Sequence, residues 1–567
     1  MATSTLGPEY RAETLAALDG GTFDVVVIGG GITGVGCALD AATRGLSVAL
    51  VEQRDFASGT SSRSSKLLHG GLRYLEQFDF RLVTEALHER ELLRQHLAPH
   101  LVWPVPFIYP LSHRIWERLY VGAGITLYDG LAKLGKSTLP RQWHLSRTEL
   151  QRVFPGIRRD KYVGGIRYYD AGTDDARFTV AVARTAASHG ARMITSTRVS
   201  GFLRDGDRVT GVKAICMETG RDLEVTAKVV VNATGVWTDI VESYVGDTHT
   251  DVTASKGIHI VVPKDRIESS AGFITKTPTS VLFLIPHGDF WIIGTTDTPW
   301  TLHLAHPAAS ERDIDYVLGQ LNEIVEHQLT HDDVVGVYAG LRPLVTGDAE
   351  STAKLSREHS ITEPAPGLVS IAGGKYTTYR VMAEDTIDRA FESIRTPIPA
   401  STTETEQIVG AVGFHEQWAE RDRTAELHDM STHEIERLLR RYGSETSTIL
   451  DMIAADPDLA RRIPSGPYTA AEVRFAVDNE AALHLDDVLT RRTRLSIESR
   501  DRGVEGARFV AEIMAEILGW DETTIERELD HYRARVEAEL ESQQMPDDRT
   551  ADAARMGAEG IRMLGRN

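Results

Sequence analysis

Short apolar runs that end in glycine turns recur along the chain. The first is the β-branched run Val25–Ile28, and such runs are typical of strands buried on both faces of a parallel sheet. A helix of small residues, the stop Gly45 and a second apolar strand at Val48–Val51 follow it. The same strand and glycine turn return in AKVVVNATG (227–235) and GLVSIAGGKYTTYR (367–380). The pattern predicts a parallel sheet assembled from distant segments.

Between these runs the hydrophobic pattern changes to that of antiparallel strands, some of them joined as hairpins. Residues 191–217, 256–263 and 280–295 show it. The two strand types alternate along the chain, so we expect two interleaved domains.

The last third of the chain has a helical pattern. It follows a stretch rich in proline, threonine and serine around 393–407, which is typical of a linker. Ser431 and Glu434 form a capping box, and Gly443 ends the helix they begin. Further helices are predicted over residues 470–494, 503–518 and 521–541.

The predicted fold is α/β followed by α. A Rossmann-like dinucleotide domain is interleaved with an antiparallel-sheet substrate domain, and a helical domain follows. The expected boundaries are 22–100, 161–240 and 356–395 for the three parts of the dinucleotide domain, 101–160 for a substrate or cap segment, 241–355 for the substrate domain, 396–410 for the linker, 411–545 for the helical domain and 546–567 for a mobile tail.

Composition narrows the functional classes. The chain has 567 residues, a formal net charge of −20 and two cysteines, Cys37 and Cys216. Two separated cysteines give no disulfide framework and argue against a zinc or iron–sulfur site, so we expect no metal and a reducing compartment. The acidic balance argues against a nucleic-acid partner, since no local basic patch offsets it.

The sequence predicts no membrane-spanning helix. The N-terminus lacks the pattern of a signal peptide, and no window reaches the ~18–20 apolar residues that a span requires. Residues 100–136 mix Trp103, Phe107, Trp116 and Tyr120 with basic residues, which suits a surface that lies on a membrane. A buried hairpin of the substrate domain is the alternative interpretation of this segment.

A dinucleotide motif lies between the first strand and the first helix. Gly29, Gly31 and Gly34 form G-x-G-x-x-G, in which the glycines permit a tight turn, close approach of a pyrophosphate and close helix packing. The phosphates then meet the helix N-terminus, where free N–H groups favour anions. Glu52 ends the second strand, 21 residues after Gly31, where it is placed to bind ribose hydroxyls.

Three distant segments that end in glycine turns indicate a long cofactor held along its length. A nicotinamide cofactor, by contrast, usually exchanges freely between the enzyme and solution. The ATG turn, Ala233–Gly235, together with the first motif, resembles the flavoproteins related to D-amino-acid oxidase. The resemblance implies FAD, and no cysteine or histidine has a clear attachment context, so we expect non-covalent binding.

A closer resemblance rests on several longer motifs. HGGLRYLE (69–76), KGIHIVVP (256–263), IIGTTDT (292–298), YAGLRPLV (338–345) and AGGKYTTYR (372–380), with SREH (356–359), are similar to the FAD-dependent glycerol-3-phosphate dehydrogenases. That family oxidises the C2 hydroxyl of sn-glycerol 3-phosphate to dihydroxyacetone phosphate and passes electrons through FAD to a membrane quinone. The resemblance therefore also implies a cytoplasmic protein at the inner face of the cell membrane, and it suggests a homodimer.

The reaction needs cations for a phosphate dianion and a proton acceptor for the alcohol, for which arginine and histidine are suited. The motifs and the resemblance assign catalytic roles to His69, His259, Arg342 and Lys375; substrate contacts to Arg73, Tyr74, Thr296, Asp297 and Arg357; and cofactor contacts to Gly29, Gly31, Ile32, Thr33, Gly34, Glu52, Thr60, Ser61, Ser65, Lys66, Leu67, Leu68, Ala233, Thr234, Gly235, Gly374, Tyr376 and Thr377. Which histidine is the base stays open. Thr296 and Asp297 are expected to fix the architecture of the site, and Asp297 as a general base is the alternative.

Other functions remain as alternatives. A glycerol-3-phosphate oxidase would share the site but reduce oxygen to peroxide. Another amine or hydroxy-acid oxidase of the superfamily is a second alternative, although the arginines favour an anionic substrate. A non-catalytic flavin-binding protein is the remote alternative.

Overall fold

The computed structural model describes residues 4–71, 80–113, 116–134, 137–246, 250, 252–278, 280–345, 359–558 and 561–563. Three residues assigned above to the substrate, Arg73, Tyr74 and Arg357, lie outside these ranges.

The first sheet is built around the predicted apolar strands. Its strands are β1 (Thr22–Ile28), β2 (Val48–Val51), β7 (Arg192–Ile194), β8 (Thr197–Asp205), β9 (Arg208–Cys216), β10 (Asp222–Asn232), β17 (His359–Ala365) and β18 (Leu368–Gly373). The order β17-β18-β10-β1-β2-β7 is parallel from β18 to β7, while β17 and the β8–β9 hairpin run antiparallel to their neighbours. Val27 lies opposite Val231 on one side and Leu50 on the other.

Alternation along β1 divides its side chains between two cores. Val25 and Val27 pack with α2 (Ile32–Thr43), α6 (Asp175–Ser188) and α9 (Tyr379–Ser393), whereas Val26 and Ile28 pack against the β8–β9–β10 layer. Burial on both faces explains why these strands are continuously apolar.

The second sheet comes from the segments between those of the first. Its strands are β3 (Leu67–Leu68), β4 (Val102–Leu111), β5 (Trp143–Ser146), β6 (Gly164–Thr173), β11 (Val252–Pro263), β12 (Gly272–Lys276), β13 (Val281–His287), β14 (Phe290–Gly294), β15 (Thr298–Trp300) and β16 (Gly336–Val345). They pair as β15-β11-β14-β13-β12-β4-β6-β3, with β16 on β11 and β5 on β6. The two domains are therefore interleaved. β3 and β6 belong to this sheet, although the expected boundaries assign residues 67–68 and 164–173 to the dinucleotide domain.

The remaining helices lie against one of the two sheets or form the C-terminal region. They are α1 (Pro8–Leu18), α3 (Phe80–Leu92), α4 (Trp116–Leu134), α5 (Arg147–Val153), α7 (Thr238–Glu242), α8 (Glu311–Asn322), α10 (Phe414–Ala419), α11 (Arg421–Leu427), α12 (Thr432–Tyr442), α13 (Thr446–Ala455), α14 (Ala470–Asn479), α15 (Leu495–Glu498), α16 (Val504–Leu518), α17 (Glu522–Ser542) and α18 (Asp548–Arg555).

The predicted C-terminal helices are present, but one of them is interrupted. Ser431 caps α12 through the predicted box with Glu434, and Gly443 follows its last residue. The helix predicted over 470–494 ends at Asn479, and a separate π-helical turn covers Asp487–Arg492.

The C-terminal domain docks on the first sheet through buried ion pairs. Arg492 pairs with Asp55 at 2.7 Å, just beyond β2. His484 Nδ1 lies 2.8 Å from Glu528, and its Nε2 lies 3.0 Å from Glu218 of the sheet domain. Burial opposes the charged imidazole, but the hydrogen bonds to the two glutamates prevail and raise the pKa of His484 to about 9.

The expectation of a mobile tail from residue 546 does not hold for residues 548–555, which form α18. Lys256, which is fully buried, pairs with Asp548 at 2.5 Å, and His303 Nδ1 lies 2.8 Å from Asp552. Lys256 and His303 belong to the substrate domain, and their contacts with these carboxylates are not visible in the composition of the tail.

α4 lies over the second sheet within the segment that mixes aromatic and basic residues. Ile125, Tyr128 and Ala132 are buried at helical spacing, while Leu119 and Tyr120 are 70% and 63% exposed. Among the described residues, none of the helices has the length and apolar character needed to cross a bilayer.

Candidate active site

A cavity of about 370 Å³ runs between the two sheets. Most of the predicted site residues line it: Gly29, Gly31, Ile32, Thr33, Glu52, Thr60, Ser61, Ser65, Leu67, His69, Ala233, Thr234, Gly235, His259, Arg342, Gly374, Lys375, Tyr376 and Thr377. It thus joins the carboxyl ends of β1, β10 and β18 to strands β11 and β16 of the second sheet, as expected for a ligand at the edge of a parallel sheet.

The first glycine motif forms a cradle that side chains would fill. Gly29 has φ +108°, and a Cβ on it would meet the Ala233 carbonyl oxygen at 2.7 Å. Gly34 does not line the cavity; a Cβ there would lie 1.9 Å from the Gly29 carbonyl oxygen. Gly34 therefore allows α2 to pack against β1, which is the third role that the motif predicts.

Polar groups surround this cradle. The Glu52 carboxylate accepts hydrogen bonds of 2.7 Å from the N–H groups of Gly30 and Arg54. Ser61 Oγ accepts from the Ile32 N–H at 2.9 Å, at the start of α2. The acid and the hydroxyl are thereby fixed at the edge of the cavity.

The segment 60–71 carries two kinds of side chain. Ser65 and His69 line the cavity, but Lys66 and Leu68 do not. Lys66 is buried in an ion pair with Asp175, and Leu68 is part of the core beneath the first sheet. Lys66 has φ +54°, so its side chain leaves the direction that simple alternation would give.

Arg342 projects from β16 into the cavity, and hydrogen bonds to residues 295–297 fix its orientation. It donates to Thr295 Oγ1 at 2.9 Å and to the Thr296 carbonyl at 3.2 Å, and it pairs with Asp297 at 3.3 Å. Thr296 and Asp297 themselves do not line the cavity. Their positions fit the expected architectural role, in which they orient an arginine.

His259 is buried beside two cations. Its Nε2 lies 2.8 Å from Ser65 Oγ, and its ring stacks on Tyr338 with centroids 4.9 Å apart. Burial, followed by the charges of Arg342 and Lys66, lowers the pKa of His259 to about 3. Its imidazole is therefore neutral at neutral pH, and its buried Nδ1 has no hydrogen-bond partner among the described residues.

His69 is positioned through its backbone. Its N–H donates to Thr377 Oγ1 at 3.2 Å, and its ring lies 6.3 Å from that of Phe283. The next N–H, of Gly70, donates to the hydroxyl of Tyr128 on α4 at 2.9 Å. Tyr128 in turn donates to Asp170 at 2.7 Å. A buried network thus fixes the segment that carries His69.

Lys375 follows two glycines with φ +78°, Gly373 and Gly374, at the end of β18. A Cβ on Gly374 would lie 2.5 Å from the Met382 side chain, so backbone alone fits between α9 and the cavity. Lys375 also lines the cavity, so Lys375 and Arg342 both bring positive charge to it.

Several lining residues were not predicted. Val199, Trp237, Ile240 and Tyr244 form an apolar end of the cavity near Glu52, and Leu341 lies beside Arg342. Trp237 comes two residues after the ATG turn, a position that could have indicated it. Val199 in β8, Ile240 in α7 and Tyr244 just after that helix lie outside the quoted motifs, whereas Leu341 lies within YAGLRPLV.

The donor set fits FAD. A glycine cradle at a helix start suits a diphosphate, Glu52 suits ribose hydroxyls, and the apolar end suits a flat ring. A model for FAD-dependent oxidoreductases matches residues 24–380, and one for the C-terminal domain of alpha-glycerophosphate oxidase matches residues 401–525.

Relatives decide the family. Glycerol-3-phosphate dehydrogenase 2 of Mycobacterium tuberculosis (strain ATCC 25618 / H37Rv) is 54% identical over 557 residues, covering 98% of this chain and 95% of that protein. The chain belongs to the FAD-dependent glycerol-3-phosphate dehydrogenase family. The mitochondrial glycerol-3-phosphate dehydrogenase of Bos taurus, a more distant member, is 37% identical over 93% of this chain and 75% of its own.

Solved structures agree with this assignment. Glycerol-3-phosphate dehydrogenase from Bacillus halodurans, solved with FAD, matches with a TM-score of 0.77 and 29% identity, over 95% of this chain and 98% of that one. L-alpha-glycerophosphate oxidase from Mycoplasma pneumoniae, also with FAD, shares the fold, with a TM-score of 0.52 and 15% identity over 68% of this chain and 98% of that one. The predicted fold class and FAD as cofactor are confirmed.

Proposed function

We propose that the chain oxidises the C2 hydroxyl of sn-glycerol 3-phosphate to dihydroxyacetone phosphate and passes the electrons to a membrane quinone. The observation that carries the proposal is one cavity that brings Arg342 and Lys375 together with the histidines His69 and His259 and a dinucleotide cradle. The printed names of the relatives support the same substrate.

Phosphate recognition is the role of Arg342 and Lys375. A guanidinium binds a phosphate dianion through a planar pair of donors and stays charged. The bonds from Arg342 to Thr295 and Asp297 fix its orientation before the substrate arrives, and both cations counter the repulsion of a phosphate by a chain of net charge −20.

His259 is the proposed proton acceptor. It is neutral because burial and the adjacent cations keep its pKa low, and Ser65 holds its ring in one orientation. A dianionic substrate at Arg342 would offset the cations that depress that pKa, so the imidazole becomes more basic when substrate binds. His69, fixed by Thr377, orients the alcohol in this scheme.

FAD supplies a two-electron acceptor for the hydride of the alcohol carbon when it is bound. Gly29, Gly31, Ser61, Glu52 and the ATG turn are the residues that would hold it. The chain itself binds the phosphate, orients the hydroxyl, removes its proton at a histidine nitrogen and covers the site with the segment 60–71.

The proposed electron acceptor is a quinone, and oxygen is the alternative. The relatives are named dehydrogenases, whereas the model for the C-terminal domain takes its name from an oxidase. To decide, enzyme reduced anaerobically by sn-glycerol 3-phosphate is mixed with a short-chain quinone or with oxygen. The proposal expects fast reoxidation by quinone with little peroxide; fast peroxide formation with a poor quinone reaction would establish the oxidase instead.

The proposed quinone acceptor would bring the enzyme to the inner face of the cell membrane, and α4 is the surface that we propose for that contact. Leu119, Tyr120 and Leu127 are 70%, 63% and 43% exposed on one helix that also carries Arg118. Exposed apolar side chains beside a basic residue suit an anionic lipid surface.

The lipid contact is tested by co-sedimentation with vesicles that contain anionic lipid. Leu119→Glu should release the protein, whereas Leu427→Glu, a change of a 78% exposed leucine in the C-terminal domain, should not. Equal binding of the two variants would contradict the assignment of this surface.

A further inference from the structure

A second cavity lies on the other side of the segment 62–66 from the FAD cavity. Its volume is about 70 Å³, several times the roughly 10–15 Å³ that one water occupies by this measure. Its lining includes the imidazole of His306, which is neutral because burial and the neighbouring arginines lower its pKa well below the usual value. Five cationic side chains also line it: Arg63, Lys66, Arg494, Arg535 and Arg555. Of the described residues that line it, two are acidic, Asp174 and Glu539.

Part of this positive charge has no carboxylate partner. Arg63 forms no ion pair with a described residue and donates to the carbonyl of Ala305 at 3.4 Å. Arg54, directly behind it, donates to the same carbonyl at 3.3 Å. Two guanidinium groups thus converge on one neutral oxygen, while Lys66 has Asp175 as its own partner.

The C-terminal helices add the opposite wall. Arg535 of α17 pairs with Asp486, and Arg555 of α18 pairs with Glu539 at 3.4 Å and donates to the Arg535 carbonyl at 2.9 Å. His306 lies among them, and its buried Nδ1 has no hydrogen-bond partner among the described residues.

The cationic side chains of this cavity repel one another. Burial, followed by the charges of Arg54, Arg535 and Arg555, lowers the pKa of Arg63 well below its usual value. Burial and Arg555 lower the pKa of Arg535 to about 9. A buried cluster of like charges is costly unless an anion compensates it.

We propose that this cavity is a second anion site, which binds a phosphate-type oxyanion between Arg63, His306, Arg535 and Arg555. The site adjoins that of the cofactor and is distinct from it: Arg63 lines both cavities, whereas His306, Arg535 and Arg555 line the second cavity and not the FAD cavity. An anion here would join the FAD-binding segment, through Arg63, to the C-terminal helices.

Binding of radiolabelled inorganic phosphate to the FAD-loaded, full-length enzyme tests the site. Equilibrium dialysis at constant ionic strength in chloride counts the phosphates per chain. Arg535→Gln should bind one phosphate fewer than the wild type, or bind it at least tenfold more weakly. Arg533→Gln is the matched control, since Arg533 is an exposed arginine two positions away on the same helix.

Two further variants separate the possible results. Arg535→Lys keeps the charge and should restore most of the binding, which distinguishes a lost site from a misfolded protein. Arg342→Gln changes the proposed substrate site and should leave the second phosphate bound. If Arg535→Gln and Arg533→Gln bind equal amounts with equal affinity, or if Arg342→Gln removes all phosphate binding, the proposal is overturned.

The same dialysis identifies the source of the oxyanion. Unlabelled sn-glycerol 3-phosphate is added to the Arg342→Gln variant. Displacement of the label at similar concentrations assigns the site to phosphate monoesters of the substrate class, and retention of the label assigns it to free phosphate.

Discussion

Tyr128→Phe tests whether the hydrogen bonds of α4 position the active site. The change removes one hydroxyl, which accepts from the Gly70 N–H at 2.9 Å and donates to Asp170 at 2.7 Å. Tyr128 is fully buried, and it does not line the cavity. The variant therefore perturbs His69 only through the backbone of the next residue.

The expected size of the effect follows from the groups that lose the Tyr128 hydroxyl as a hydrogen-bond partner. Asp170 keeps its 2.6 Å ion pair with Arg90, so the main loss is at the Gly70 N–H. An imperfectly satisfied buried donor costs about 1–3 kcal/mol in the free energy of unfolding. If the segment then moves by about 1 Å, the rate of substrate oxidation falls by roughly 10- to 100-fold, with little change in the KM for the substrate.

The assay is the anaerobic rate of flavin bleaching by substrate, with urea unfolding measured on the same preparations. Tyr168→Phe is the control: its ring packs edge-on against that of Tyr128, it is equally buried, and its hydroxyl has no hydrogen bond with a described residue. Equal bleaching rates in the two variants would refute the positioning role, even if Tyr128→Phe were less stable.

Three further predictions concern the cofactor, the substrate and the domain contact. Gly34→Ala should yield protein without flavin absorbance, because its Cβ would meet a carbonyl oxygen at 1.9 Å; Gly124→Ala, which meets nothing within 4 Å, should retain FAD. Arg342→Lys keeps the charge but loses the fork, so kcat/KM should fall about 10- to 100-fold; an unchanged value would remove Arg342 from phosphate recognition. The raised pKa of His484 stabilises the fold fully below pH ~6.5, and this contribution, about 3 kcal/mol, should be lost as the pH rises through about 9. Urea unfolding at pH 6.5 and 9.5 should show that loss in the wild type and not in His484→Gln.

Local patterns were sufficient for the parallel sheet and for much of the site. The glycine motif, the apolar runs and the acid at Glu52 act through backbone geometry and spacing, which a sequence displays directly. Arg342 and His259 were found because they lie in long motifs of the family, and the structure brings both to one cavity.

Side-chain direction and distant partners could not be predicted in the same way. Lys66 was assigned to the cofactor, but it turns toward Asp175, which lies more than a hundred positions away in the sequence. Asp297, which directly precedes β15, lies behind Arg342 because β15 and β16 both pair with β11, and local spacing does not encode that pairing. The helix at 548–555 is likewise stabilised by Lys256 and His303, so its acidic sequence alone resembles a solvated tail.

The most direct test of the central claim is an anaerobic absorbance titration of the FAD-loaded enzyme. The account predicts that sn-glycerol 3-phosphate bleaches the flavin, and that glycerol at the same concentration does not, because Arg342 and Lys375 require a phosphate. A flavin that stays oxidised with sn-glycerol 3-phosphate, or bleaches equally with glycerol, would contradict the assignment of the substrate.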